Sequence, residues 1–205
     1  FYLNIKHNIK KLYQNSNFYE KKISKTFKNS FEYKPSPHLL SSITKYQNKK
    51  YKIEDFTIES IWQNKLSLKD YEKLNNFFWF FSLDLKSSKK TIQTVIRNWI
   101  SNNSKYNEKS WEFDLTAKRI ISWLSNHQLT YEDSDQEYRS IFNHMIQKQT
   151  NHLLNEIKNP NKLENKMIGC AAIILTGLAY KNKKEYLENG LNLLKNIIKS
   201  SIDNE

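Results

Sequence analysis

Glycine does not occur before Gly169, proline is confined to Pro35, Pro37 and Pro160, and Cys170 is the only cysteine. Each scarcity excludes something. Without glycine, neither a phosphate-cradling loop nor a dinucleotide-binding fingerprint can be built before residue 169, and glycine-dependent tight hairpins are disfavoured there. One cysteine can form neither an internal disulfide nor a thiolate zinc site. Cys170 falls in the apolar run Ile168–Tyr180, where a buried, inert thiol is expected. That run is the longest apolar stretch, yet it falls short of the roughly 20 residues a spanning helix needs, and Phe77–Phe81 is shorter still. No membrane is therefore expected as a partner. His127, His144 and His152 show no metal-ligand spacing, so neither a metal nor another cofactor is expected.

Acid is also scarce: 21 Asp and Glu stand against 33 Lys and Arg, giving a net charge of +12. A basic balance invites a nucleic-acid reading. Here, however, the basic residues are dispersed, and Arg97, Arg119 and Arg139 are the only arginines among them. Dispersed lysine without an RNA-binding motif makes nucleic acid an unlikely partner and leaves a general attraction to polyanions. The same abundance of Lys, Asn, Ile, Tyr and Phe accompanies an AT-rich genome, which raises the charge without a functional demand.

A chain of 205 residues fits one domain that buries roughly 70% of its unfolded surface. It begins at Phe1 with a lysine-rich stretch lacking the apolar core of a signal peptide, so the compartment is not legible. Residues 1–50 read as an N-terminal arm, with short helices near Tyr2–Tyr13 and Pro37–Tyr46. An extended segment fits 51–62. From Ser67 onward the apolar spacing is helical. Six helices are expected: from a Ser67 capping box to about Lys86, from a Ser88 cap through Trp99, over Trp111–Asn126, over Ser134–Lys158, over Leu163–Tyr180, and over Lys184–Ser200 with Leu187, Leu191, Leu194 and Ile198 inward.

The most informative stretch is Ser110–Leu124, which carries two apolar faces. Phe113, Ala117, Ile120 and Leu124 form one, and Trp111, Leu115, Arg119 and Trp123 recur at i+4 on the other. Such a helix belongs between two layers. Arg119, flanked by aromatic positions, reads either as a clamp between helices or as a planar fork offered to a carboxylate or sulfate. Helices apolar on one side alternate with helices apolar on several, which fits helical hairpins in two layers. The expected fold is all-α, an incomplete α/α toroid over residues 51–205.

Several motifs recur in a telling order: Ile61-Trp62, Leu74-Asn-Asn-Phe-Phe-Trp79 with Leu83-Asp84, Trp99-Ile100, Trp111-x-x-Asp114-x-x-x-x-Arg119-Ile-x-Ser-Trp123-Leu124, and Gln149-x-x-His152-Leu153. This succession resembles the N-terminal helical region of bacterial heparinase II/III family proteins. The resemblance implies an α/α toroid joined to a β-rich domain, and polysaccharide lyase activity on uronate-containing chains such as heparan sulfate or alginate. A lyase of this kind must neutralise the uronate carboxylate, supply a base and protonate the departing oxygen.

By the same resemblance, Asn165 takes the place of the carboxylate-gripping Asn, while Lys166 stands where the family has His. Trp111, Arg119, Trp123 and His152 would bind the acidic polysaccharide. The family's catalytic Tyr would follow the last helix, so the sequence is expected to be a fragment with little activity alone. Asn165 as a helix-start residue, His152 as a hydrogen-bonded structural group and the tryptophans as packing are the structural alternatives. From another class, a non-enzymatic helical scaffold binding protein or nucleic acid also fits the lysine content.

Overall fold

The computed structural model describes residues 2–24, 67–83, 88–159, 162–180 and 184–202. The expectations for residues 37–46 and 51–62, and the motif positions Trp62 and Asp84, lie outside the described residues. Every regular element among them is helical: α1 (Tyr2–Gln14), α2 (Asn17–Ile23), α3 (Leu68–Asn75), a 3-10 turn (Phe78–Ser82), α4 (Lys89–Asn102), α5 (Phe113–Ser125), α6 (His127–Thr130), α7 (Gln136–Glu156), α8 (Leu163–Ala179) and α9 (Lys184–Ile202). The protein is all-α over these residues.

Five helix starts are set by side chains that accept a hydrogen bond from an otherwise orphaned amide, the first being Ser16, which caps α2 through the Tyr19 amide. Ser67 caps α3 through the Asp70 amide, and Ser88 caps α4 through that of Thr91. Glu112 serves α5 through Leu115, and Asp135 serves α7 through Tyr138.

One expected helix is in fact two pieces. The Ser67 helix stops at Asn75 because Asn76 turns its side chain back to accept from the Phe78 amide at 2.9 Å, and Phe77 takes a left-handed conformation with φ of 59°. A buried aromatic there is costly for the backbone. The gain is that the Phe77 ring enters the core while its carbonyl accepts from Ser122 Oγ at 2.5 Å.

The ring of Phe77 meets Trp123 edge-on, with centroids 5.2 Å apart, and Trp123 meets Trp99 edge-on at 5.6 Å. Edge-to-face pairs of this kind each add about 0.5–1.5 kcal/mol beyond burial. This aromatic cluster ties the 3-10 turn, α4 and α5 together. α5 is the central helix, buried from Leu115 through Ser125 apart from Lys118, and it packs against α7 on one side and α8 on the other.

α8 also packs closely along α9. Gly177 lets the Leu187 backbone approach, since a Cβ there would stand 2.3 Å from the Leu187 nitrogen. At the crossing of α7 and α8, the Thr150 and Thr176 hydroxyls lie 3.0 Å apart, so both buried groups are satisfied. The face of α9 differs from expectation. Tyr186 and Gly190 are buried, whereas Leu191 and Ile198 are exposed.

Candidate functional site

A groove opens where α1, the loop before α5, the end of α7 and the start of α8 converge, with a volume of about 430 Å³. Its walls are aromatic and its rim is charged. Tyr106, Trp111, Phe113 and His152 supply the rings, while Lys10, Lys11 and Lys162 face Glu108, Glu112 and Glu156.

The loop that carries Trp111 is held by Asn107, whose Oδ1 accepts from the amides of Lys109 and Ser110. Trp111 itself lies in the turn ahead of α5, not on the helix as its i+4 spacing suggested. Glu112 captures the Leu115 amide and starts the helix one residue later. The Trp111 indole donates to the Asn103 carbonyl at 3.1 Å, and its edge reaches His152, with ring centroids 5.6 Å apart.

His152 is buried and both of its ring nitrogens are engaged. Nε2 lies 2.9 Å from the Trp111 carbonyl, which can only accept, so Nε2 carries the proton. Nδ1 then accepts from the Tyr19 hydroxyl at 2.7 Å. Burial pushes the imidazole pKa down to about 4, only partly opposed by Glu156 and the bond to Trp111. A neutral histidine committed at both nitrogens holds the N-terminal hairpin to the body and is not poised to shuttle a proton.

Tyr106 donates to Gln14 Oε1 at 2.9 Å, and burial with the nearby Glu156 and Glu108 charges raises its hydroxyl to about 12. Its phenol stays protonated. Burial likewise raises the Glu112 carboxyl, against the stabilising amide of Leu115. Glu108 moves the other way, held down by the Lys11 ammonium 2.6 Å away. Lys10 pairs with Glu156, so two of the three lysines at the rim are neutralised by glutamates. Lys162 makes no ion pair among the described residues.

The sequence-predicted residues divide evenly. Trp111, His152 and Asn165 line the groove, and Arg119, Trp123 and Lys166 do not. Lys166 follows Asn165 by one residue, a turn of about 100° that carries it off the groove side. Asn165 is not a cap, since α8 begins at Leu163 with Lys162 in the cap position and no side-chain cap bond. Trp123 is fully enclosed in the aromatic cluster and offers no face to a sugar.

Arg119 is also fully buried, and it makes four hydrogen bonds: Nε to Gln149 Oε1 at 3.1 Å, one terminal nitrogen to the Asn75 carbonyl at 2.9 Å, and the other to the Ser110 carbonyl at 2.9 Å and Thr116 Oγ1 at 3.2 Å. Burial pushes its pKa down to about 9. All of its partners are neutral protein groups, so of the two sequence readings the geometry matches the clamp.

Tyr106, Lys10, Glu156 and Lys162 escaped sequence reasoning. Tyr106 is the lone aromatic in a polar loop, and Lys162 precedes Asn165 by three residues at a helix start; both signals were present but weak. No group of three His, Cys, Asp or Glu able to hold a metal occurs among the described residues, and none of their helices is long and apolar enough to cross a membrane. Comparison with protein-family models, curated proteins and solved structures finds no match.

Proposed function

We propose that this helical array is the substrate-cradling part of a heparinase II/III-like polysaccharide lyase, built as an incomplete α/α toroid, with the groove beside α1 receiving a uronate-containing acidic polysaccharide. One observation carries this reading: Trp111, His152 and Asn165, drawn from three separate motifs of the resemblance, meet in a single groove. Tyr106 and Phe113, partly exposed on the groove wall in front of the buried Trp111 and His152, together with the amide and ammonium groups at the rim suit a sugar ring, which stacks through its C–H face and hydrogen-bonds through its edge. Lys162 offers a cation with no ion pair among the described residues for a uronate carboxylate, and Asn165 offers an amide donor on the same side of α8.

The groove binds rather than reacts. Tyr106 is held protonated and His152 is committed at both nitrogens, so neither is ready to abstract the proton that β-elimination requires.

Affinity electrophoresis in gels containing alginate, polygalacturonate or heparan sulfate, with dextran as the neutral control, tests the reading. Retardation in the acidic polymers, weakened by added salt and by Lys162→Glu or Asn165→Ala at an unchanged melting temperature, is the expected result. Equal mobility in all gels at low salt overturns it.

A further inference from the structure

Among the described residues, α1 turns its polar side to the protein body and its apolar side away from it. Its polar side faces inward: Gln14 is buried and accepts from Tyr106, Lys10 pairs with Glu156, and Lys11 and His7 pair with Glu108. The opposite side presents Ile5, Ile9 and Leu12 to solvent at i, i+4 and i+7, with Ile9 61% and Leu12 74% exposed. Phe18, at the start of α2, extends the ridge and is 69% exposed. A folded protein does not aim a row of large aliphatic side chains at water without a partner.

Charge selects among partners. Residues 5–24 contain five lysines and one glutamate, and that glutamate, Glu20, is paired with Lys148. Lys6, Lys21 and Lys22 are exposed and make no ion pair among the described residues. A second copy of the chain would bring two such basic surfaces together, which repel. The groove is lined by the opposite side of α1, so a partner must accept the exposed row of side chains itself.

An anionic lipid surface does this: acyl chains receive the aliphatic and aromatic side chains, and headgroup phosphates receive the flanking lysines. We propose that α1 and the start of α2 form an interfacial helix that docks the protein on an anionic phospholipid surface, lying in the plane of the headgroups.

Co-sedimentation of the intact chain with vesicles tests the proposal, using equal parts phosphatidylglycerol and phosphatidylcholine against phosphatidylcholine alone. Binding to the anionic vesicles is expected. It falls about fivefold for each of Lys21→Gln and Lys22→Gln, the factor set by one basic residue near such a surface. It falls roughly tenfold or more in the double variant Ile9→Glu, Leu12→Glu. All four positions are exposed, so the far-ultraviolet circular dichroism stays unchanged. Equal binding to both vesicle types, or binding indifferent to these substitutions, overturns the proposal. So does an absence of vesicle binding, whether the chain is then a monomer, a dimer abolished by the Ile9→Glu, Leu12→Glu variant, or captured only by an acidic protein.

Discussion

The guanidinium carbon of Arg119 stands 3.9 Å from the ring centroid of Trp99, closer than any other cation in the described structure stands to an aromatic ring. The contact joins α4 to α5 at the point where Asn75, Ser110 and Gln149 also converge on the same side chain. It follows that Arg119→Ala is destabilising before it affects any ligand. Three acceptors from three other segments would lose their donor inside the core, and a cavity would open against Trp99. A loss of roughly 3–5 kcal/mol is expected by urea unfolding. An unchanged midpoint would contradict the clamp.

His152 gives stability an acid limb. Its folded pKa, about 4, lies below the ordinary 6.5, so as pH falls the unfolded chain takes up the proton first. Stability from this group is complete above pH 6.5 and is lost as pH drops toward 4. The full contribution is on the order of 3 kcal/mol. Denaturant titrations across this range should show the decline, and His152→Gln should flatten it. A wild-type curve flat down to pH 4 would mean that the imidazole is not held neutral.

Two buried tryptophans that look alike in the sequence should respond differently to Phe. The Trp99 indole donates to Asn75 Oδ1 at 2.8 Å, whereas the Trp123 N–H is buried with no acceptor among the described residues. Trp99→Phe strands the Asn75 amide oxygen and should cost about 1–3 kcal/mol more than Trp123→Phe. Equal costs measured by chemical unfolding would argue that the Trp123 nitrogen has a partner.

Glycines on α8 test how tightly the last two helices are joined. At Gly177 a methyl group would meet the Leu187 backbone at 2.3 Å, and at Gly169 it would meet the Phe113 ring at 2.4 Å. A ring can swing aside, but a helix backbone cannot without separating α8 from α9. Gly177→Ala should therefore destabilise by roughly 2–3 kcal/mol and more than Gly169→Ala, despite the better helix propensity of alanine. Thermal melts of the two variants decide the order.

The helix starts at Ser67 and Ser88, the buried two-faced helix α5 and the free, buried Cys170 were all legible in the chain. Their signals are local: cap chemistry, apolar spacing, or a lone thiol in an apolar run. The break at Phe77 was not legible, because helical spacing continues through it. The Asn76 side chain, the Ser122 hydroxyl and the aromatic pocket around Phe77 make the left-handed turn favourable. The exposure of Leu191 and Ile198 was likewise hidden, since an apolar stripe does not state which neighbour covers it.

The candidate site divides along the same line. Residue order alone singled out Trp111, Arg119, Trp123, His152, Asn165 and Lys166 as worth examining. Only tertiary structure could separate the three at the groove from the three away from it, because each is placed by partners far along the chain. Tyr19 engages His152 across 133 positions, and Asn75 engages Arg119 across 44. The sequence by itself determined an all-α fold across the described residues, with no internal disulfide and no glycine-rich phosphate loop before Gly169, since periodicity and composition act locally. Which rings line the groove and which lock helices together was decided by packing, since burial depends on what the rest of the fold brings alongside.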